Sequence, residues 1–305
     1  MTLALFMTTS DPLRQQGLFF SALAWLVVLF TVAFPLGNTR LELLVLATLI
    51  FFLGIPHGAL DVIFAKRLYR LVSPGRWAVF CAAYVMLAAA VVAVWWGWPA
   101  FFLTAFLLVS AFHFSGDPAA GTSVLLRFWY APSMLIFPAW LHELEVARLF
   151  GALVAGDAAA QLASVLHSMG WPWCVGLAVT LMLQWRRNWV TGLEVMSVSL
   201  LALAAPPLLS FTVFFCVMHS ARHALRTRAF APDLAWSDLF KKAIAPMAVC
   251  ALGGWLLWPA LKDMPVDTAV VRVLFVALAA LTVPHMVLIE RVRWAGWRGS
   301  PVRSA

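Results

Sequence analysis

The amino-acid sequence predicts an all-α, polytopic transmembrane bundle of about 8–10 spans, forming a single integral membrane domain over residues 1–305. Hydrophobic residues make up 64% of the chain and charged residues only 11%, whereas about a quarter of a typical soluble domain is charged. Long apolar segments without a formal charge recur along the chain, and a helix needs roughly 20 such residues to cross a bilayer. This composition excludes a water-soluble domain, a disordered chain and a small disulfide-stapled module.

The predicted helices of the first half follow from blocks that carry few formal charges. The block at 77–116 is long enough for two helices. The pair Trp98-Pro99 divides it, because proline cannot continue a helix without losing a backbone hydrogen bond. The helices predicted here cover residues 17–36, 41–60, 77–96, 99–115 and 124–141.

The second half begins with an exception to this pattern. Residues 142–170 carry charges among apolar residues at helical spacing, which is typical of an amphipathic helix lying at the membrane surface. The first two helices that follow are short enough to form a hairpin that dips only partly into the bilayer, and the pair Pro206-Pro207 ends the second of them. The helices predicted here cover residues 171–185, 190–205, 207–225, 243–260 and 269–289.

The basic residues predict how the chain is oriented. Lysine and arginine collect in the cytoplasmic loops of membrane proteins. With the N-terminus inside, 17 of the 21 lysines and arginines fall on the inner side of the predicted helices. We therefore expect a multi-pass protein of the cell inner membrane with both termini in the cytoplasm. The net charge of +8 then reflects contact with the lipid bilayer, and it predicts no nucleic-acid partner.

Five of the seven histidines fall near the predicted inner ends of four helices. One histidine near a helix end is more often an interhelical hydrogen-bonding residue than a metal ligand. Several at one depth are costly in a membrane unless they face the bundle and share a partner, so the set predicts a metal site near the cytoplasmic face. The candidate ligands are His57, His113, His219 and His223, with His285 as a further candidate.

The spacing of these residues supports the same interpretation. His219 and His223 are four residues apart and so share one face of a helix, as metal-binding histidine pairs do. Asp61 and Asp117 each follow a candidate histidine by four residues. A carboxylate one turn away can accept the second ring N–H of a ligating histidine. We expect this role for both aspartates; capping of their own helices or contact with lipid headgroups is the alternative.

Aromatic residues flank the candidate ligands and predict an apolar substrate pocket. The expected wall residues are Phe52, Phe112, Phe114 and Phe215. Glu194, near the start of a predicted span, is expected either to pair with Arg187 or Arg186 or to line the same cavity.

Imidazole ligands suit iron, zinc, copper or nickel. A site inside the bilayer with aromatic walls favours a lipophilic substrate, and the sequence has no P-loop or GxGxxG motif for a nucleotide. A non-catalytic accessory protein or transporter for such a molecule is the main alternative. A di-iron desaturase would need about eight histidines, and a zinc hydrolase would need a base such as the glutamate of HEXXH.

Four motifs, GIPHGALD, AFHFSGD, FFCVMHSARH and TVPHM, occur in this order. Together they closely resemble the Brp/Blh family of bacterial and archaeal β-carotene 15,15′-dioxygenases. The resemblance covers nearly the whole chain, including the segment FPAWLHELEVARLF. It implies a membrane dioxygenase that depends on Fe(2+) and splits the central 15,15′ double bond of β-carotene with O2, giving two molecules of all-trans retinal.

The resemblance also implies roles for particular residues. The iron-binding histidines of the family correspond to His57, His113, His219 and His223, and His285 matches a further family histidine. No catalytic residue beyond the metal site is implied. The expected partners are the lipophilic carotenoid, O2 and a rhodopsin that consumes the retinal, whereas the non-catalytic alternative would be a carotenoid- or retinal-binding protein without turnover.

Overall fold

The computed structural model describes residues 11–34 and 40–294, and within these ranges the regular structure is entirely helical. The predicted all-α polytopic bundle is therefore confirmed. The helices are α1 Pro12–Ala33, α2 Arg40–Leu49, α3 Pro56–Ala59, α4 Asp61–Leu68, α5 Pro74–Gly97, α6 Pro99–Phe114, α7 Val124–Leu141, α8 Glu143–Gly151, α9 Ala158–Ser168, α10 Gly170–Trp185, α11 Trp189–Ala204, α12 Pro207–Val213, α13 Ala221–Phe230, α14 Trp236–Leu257 and α15 Val266–Trp294.

Seven helical segments of the described chain are long and apolar enough to cross a membrane, and an eighth follows if a bent pair forms one span. Two further predicted spans, α6 and α11, have 16 residues each. At 1.5 Å per residue such a helix is about 24 Å long, less than the roughly 30 Å of a bilayer core. The predicted helix 17–36 ends at residues 35 and 36, which lie outside the described residues.

The predicted surface segment 142–170 contains two helices instead of one. Helix α8 has acidic residues in its first turn and matches the amphipathic pattern. Helix α9 continues into α10 across a 42° bend, and the two together pass the test for a broken span or a re-entrant loop. Part of the segment expected at the surface therefore belongs to the apolar framework.

Short π-helical turns interrupt two of the spans. Ile50–Gly54 separates α2 from α3, and Phe214–Ser220 separates α12 from α13. The two turns pack against each other. π-helical turns are rare and often occur at functional sites, and both of these lie next to candidate metal ligands.

The packing of the helices leaves the two sides of the bundle unequal. Helix α1 packs on α11, α7 packs on α10 and α11, and α15 packs on α2, α4 and α5. The largest apolar cluster joins α1, α7, α11 and the second π-helical turn. Helix α5, in contrast, is at least partly exposed along its whole length, so most of its surface faces lipid.

Candidate metal centre

Five histidines converge in the interior of the bundle. His57 lies in α3, His113 in the last turn of α6 and His285 in α15 directly after Pro284. His219 lies in the second π-helical turn and His223 follows in α13. All five are buried. The chain thus brings together every histidine that the sequence analysis named as a candidate ligand.

The most compact group consists of His57, His113 and His285. One ring nitrogen from each lies within 4.8 Å of the others, and all three residues are buried. His285 was only a further candidate in the sequence analysis, yet one of its ring nitrogens lies close to those of both His57 and His113. A buried three-histidine group of this kind indicates a metal site.

The spacing of the five rings fits a shared metal ion. A ring whose nitrogen lies about 2.1 Å from a metal has its centroid roughly 3.2 Å away, so two rings at 90–120° would be about 4.5–5.5 Å apart. The six recorded centroid distances within the cluster run from 4.7 Å, for His113 and His219, to 5.5 Å, for His57 and His223. His219 and His223 therefore belong to the same arrangement as the compact group.

Two buried carboxylates fix the orientation of two of the rings. Nδ1–H of His285 donates to Oδ1 of Asp61 at 2.7 Å, and Nδ1–H of His219 donates to Asp117, whose two carboxylate oxygens each lie at 3.0 Å. The prediction that each aspartate bonds the histidine four residues before it was wrong. Asp61 begins a new helix after the break at Leu60, and Asp117 lies beyond the end of α6, so neither follows its expected histidine on one helical face.

The ring of His57 is fixed by the backbone. Its Nδ1–H donates to the carbonyl oxygen of Gly54 at 2.6 Å, and Oγ of Ser220 lies 3.0 Å from the same nitrogen. Ser220 also donates to the Gly54 carbonyl at 3.1 Å. A Cβ on Gly54 would lie only 2.5 Å from the Phe215 ring. Glycine at this position therefore allows the two π-helical turns to approach each other.

These hydrogen bonds determine which ring nitrogen can bind a metal. When Nδ1 carries the proton, Nε2 of a neutral imidazole keeps its lone pair. Among the described residues, Nε2 of His113, His219 and His285 is buried without a hydrogen-bond partner. Such a group is costly to bury unless something binds it. The donor set therefore fits a divalent transition metal that accepts nitrogen ligands.

The aromatic wall is only partly as expected. Phe114 and Phe215 are buried against the cluster, with centroids 5.0 Å from His219 and 5.3 Å from His57, respectively. Phe52 and Phe112 are 61% and 52% exposed and lie on the outer surface. These two side chains therefore do not cover the histidines, and position in the sequence did not decide this, since Phe112 and Phe114 both adjoin His113 and only Phe114 is buried.

A buried ion pair supports the loop that carries Asp117. Arg222 donates to both carboxylate oxygens of Glu194 at 2.7 and 3.0 Å, and to the backbone carbonyl of Asp117 at 3.0 Å. Glu194 therefore pairs with neither Arg186 nor Arg187. The position of Arg222 between the two histidines of HSARH was a signal in the sequence that it lies beside the site.

Tyr84 is a second residue that the sequence analysis missed. Its hydroxyl donates to Oδ2 of Asp61 at 2.9 Å, while Oδ1 of the same carboxylate accepts from His285. Tyrosine is scarce in this chain, with three residues against 23 phenylalanines. The presence of a hydroxyl in the middle of an apolar span was the signal by which Tyr84 could have been identified.

Comparison with known proteins agrees with this site. The family model described as beta-carotene 15,15'-dioxygenase matches residues 48–293, a range that contains all five clustered histidines. The chain belongs to this family. The family model also spans Tyr84, Glu194 and Arg222, so these neighbours of the histidine cluster lie inside the matched region.

Two curated relatives in the dioxygenase family match most of the chain. A beta-carotene 15,15'-dioxygenase from uncultured marine bacterium 66A03 is 30% identical over 273 residues, covering 79% of this chain and 90% of the relative. A probable beta-carotene 15,15'-dioxygenase, Blh, from Halobacterium salinarum is 28% identical over 276 residues, covering 77% and 80%. No solved structure matches the chain.

Proposed function

We propose that this protein cleaves the central 15,15′ double bond of β-carotene with O2 and releases two molecules of all-trans retinal. The buried group of His57, His113 and His285 carries the proposal, because it provides convergent nitrogen donors inside an apolar bundle. The family of the chain supports the choice of reaction. The lipophilic substrate reaches such a site from the bilayer, in which carotenoids dissolve.

The metal of this site is, in our proposal, Fe(2+). His57, His113, His219 and His223 would hold it, and His285 would be a fifth ligand. Ferrous iron on neutral nitrogen ligands supplies a place where dioxygen is activated beside an alkene. The two buried aspartates lie behind His285 and His219, so they orient the ligands and leave the inner side of the rings for the metal.

The overall reaction needs no other redox partner. One carbon–carbon double bond and the O–O bond of dioxygen break, and two carbon–oxygen double bonds form, so atoms and electrons balance without an added reductant. A general acid or base is also unnecessary, which agrees with a site whose ionisable side chains hydrogen-bond the ligands from behind. The protein contributes by binding the polyene so that only its central bond lies at the metal.

The apolar walls serve this positioning. Phe114 and Phe215 cover the histidines on the side of the π-helical turns, and they exclude water from the space next to the rings. A long polyene offers many similar double bonds, so the distance from the end of the pocket to the metal decides which bond is cleaved. Products of unequal length would indicate that the polyene binds with a different double bond at the metal.

The site lies, in this proposal, near the cytoplasmic face of the inner membrane, with both termini in the cytoplasm. The distribution of lysine and arginine supports this orientation. Retinal released there can enter the same bilayer and bind a retinal protein such as a rhodopsin, which we propose as its consumer.

Expression in a bacterium that accumulates β-carotene tests the proposal. We expect the orange colour to fade in cells that make the protein with adequate iron. Extracted pigment should contain two retinal molecules for each β-carotene lost, with no aldehyde of unequal length. Chromatography of the extract measures both quantities.

A variant with alanine at His57, His113, His219 and His223 should leave the carotenoid intact. The control is His167→Ala, which should behave as the parent, since His167 is half exposed and lies near Glu143. Persistent colour with the parent protein present in the membrane and loaded with iron would contradict the enzyme and favour a carotenoid-binding protein. Cleavage by the four-alanine variant would contradict the assigned metal site.

A further inference from the structure

We propose that Tyr84 is a positioning residue for the metal centre, acting on His285 through Asp61. This inference rests on the metal site of the proposed function. It assigns a role to α5, a span that contributes no histidine to the cluster.

The geometry forms a continuous chain of hydrogen bonds. Tyr84 Oη donates to Oδ2 of Asp61 at 2.9 Å, and Nδ1–H of His285 donates to Oδ1 at 2.7 Å. Each donor occupies a different oxygen, so the carboxylate cannot rotate without breaking one bond. The plane of the carboxylate in turn sets the direction of the imidazole, whose Nε2 is buried without a hydrogen-bond partner.

The second aspartate of the site is supported differently. The backbone carbonyl of Asp117 accepts from Arg222 and Arg226 at 3.0 and 2.9 Å, so guanidinium groups clamp the backbone of that residue. Asp61 is 3% exposed and is held through its side chain by the neutral Tyr84 hydroxyl. Loss of that hydroxyl therefore removes a direct restraint on the carboxylate.

Water cannot readily replace the hydroxyl. Tyr84 lines a cleft of about 480 Å³ between α5 and α15, whose other walls include Val79, Leu87, Pro284 and Val287. The walls are mostly hydrocarbon, with Arg76 as the charged residue among them. A carboxylate oxygen left without its donor would therefore face an apolar space, where an unsatisfied polar group is costly.

The test compares Tyr84→Phe with Tyr69→Phe in the full-length protein purified without metal. Tyr69 lines the same cleft, but its hydroxyl accepts a hydrogen bond from Arg291 near the surface, so the two variants remove the same group from the same cleft. We expect Tyr84→Phe to weaken Fe(2+) binding about 10–100-fold, as loss of a supporting group around a metal ligand does. Tyr69→Phe should bind as the parent. Titration of the metal-free protein with Fe(2+) under anaerobic conditions gives the affinities.

A double-mutant cycle separates positioning from a general loss of packing. If Tyr84 acts through Asp61, Tyr84→Phe should have no further effect on Fe(2+) affinity in an Asp61→Asn background. Equal affinities for Tyr84→Phe and the parent, or additive losses in the double variant, would overturn the inference. Metal affinity is measured without substrate, so the result does not depend on whether the parent cleaves β-carotene.

Discussion

Gly54 shows how tightly single residues constrain the site. Its carbonyl oxygen accepts from His57 and Ser220, and a Cβ there would meet the Phe215 ring at 2.5 Å. We expect Gly54→Ala to cost about 1–3 kcal/mol of stability through overpacking and to weaken metal binding because the His57 ring must shift. Thermal unfolding and Fe(2+) titration of the purified protein measure the two effects.

Gly58 provides a matched control one turn away. A Cβ on Gly58 has no neighbouring atom within 4 Å among the described residues. The Gly58→Ala variant should therefore retain stability and metal affinity. Equal behaviour of the two variants would contradict the view that close approach of the π-helical turns positions His57.

His285 belongs to the compact three-histidine group, but it is not one of the four iron-binding histidines that the family resemblance implies. Because one of its ring nitrogens lies within 4.8 Å of those offered by His57 and His113, we expect His285→Ala to slow cleavage and to lower Fe(2+) affinity by about tenfold or more, at least as much as the loss of a supporting group does. His142→Ala is the control, since His142 donates to the backbone of Leu203 outside the cluster. Unchanged affinity in His285→Ala would show that the other four histidines suffice.

At this scale the sequence predicted which histidines cluster better than it predicted their hydrogen-bond partners. Histidines within apolar segments are conspicuous, and all five candidates converge. The partners depend on contacts between helices. Asp61 bonds a histidine 224 residues away and Asp117 one 102 residues away, and spacing along a single helix carries no information about such contacts.

Among the helices, the buried pair of Glu194 and Arg222 joins α11 to α13 beside α1. A Cβ on Gly17 of α1 would collide with the Glu194 carboxylate, and Gln16 accepts from Arg222 at 2.9 Å. We expect Glu194→Met to cost about 3–5 kcal/mol, because it leaves a buried guanidinium without its counter-charge. The double variant Glu194→Met with Arg222→Met should lose less stability than either single variant, as measured by thermal unfolding in detergent.

The exposed pair of Arg40 and Asp267 is the control. It has a similar distance of 3.0 Å, but its side chains are 62% and 51% exposed, so Asp267→Asn should cost only about 0–1 kcal/mol. A similar loss for both pairs would contradict the argument from burial.

The helical elements were predicted from apolar length and proline, and most of their positions follow. The prolines at 74, 99 and 207 each begin a helix. The π-helical turns were not predictable in this way. Nothing in FFCVMHS distinguishes a π-helical turn from an α-helical one, since the extra residue is accommodated by packing against the first turn, Ile50–Gly54.

For the whole molecule, the distribution of basic residues predicts that the C-terminus lies in the cytoplasm. A fluorescent protein fused after Ala305 should therefore fluoresce, and an alkaline phosphatase fused at the same place should be inactive. A phosphatase inserted after Asp263, in the connection between α14 and α15, should be active because it lies on the opposite side. The reverse pattern would invert the proposed orientation and place the histidines near the other face.

The membrane class could be predicted from composition, and the convergence of the histidines from the distribution of charge, because both are properties of the whole chain. The number of spans could not be predicted in this way. Two predicted spans are only 16 residues long, and α9 joins α10 across a bend. Whether a short apolar helix crosses the bilayer depends on how its neighbours shield its ends, and this is a property of the assembled bundle.

Helix α5 presents Tyr84 to the interior and packs against α6 and α15, and it leaves much of its remaining surface to the acyl chains. Lateral pressure from those chains is then part of what holds the helix against α15. Bilayer thickness and fluidity thus become variables of the metal centre itself. Iron retention should differ between micelles and nanodiscs of native lipid, and a preparation that loses its annular lipid would lose activity before it unfolds.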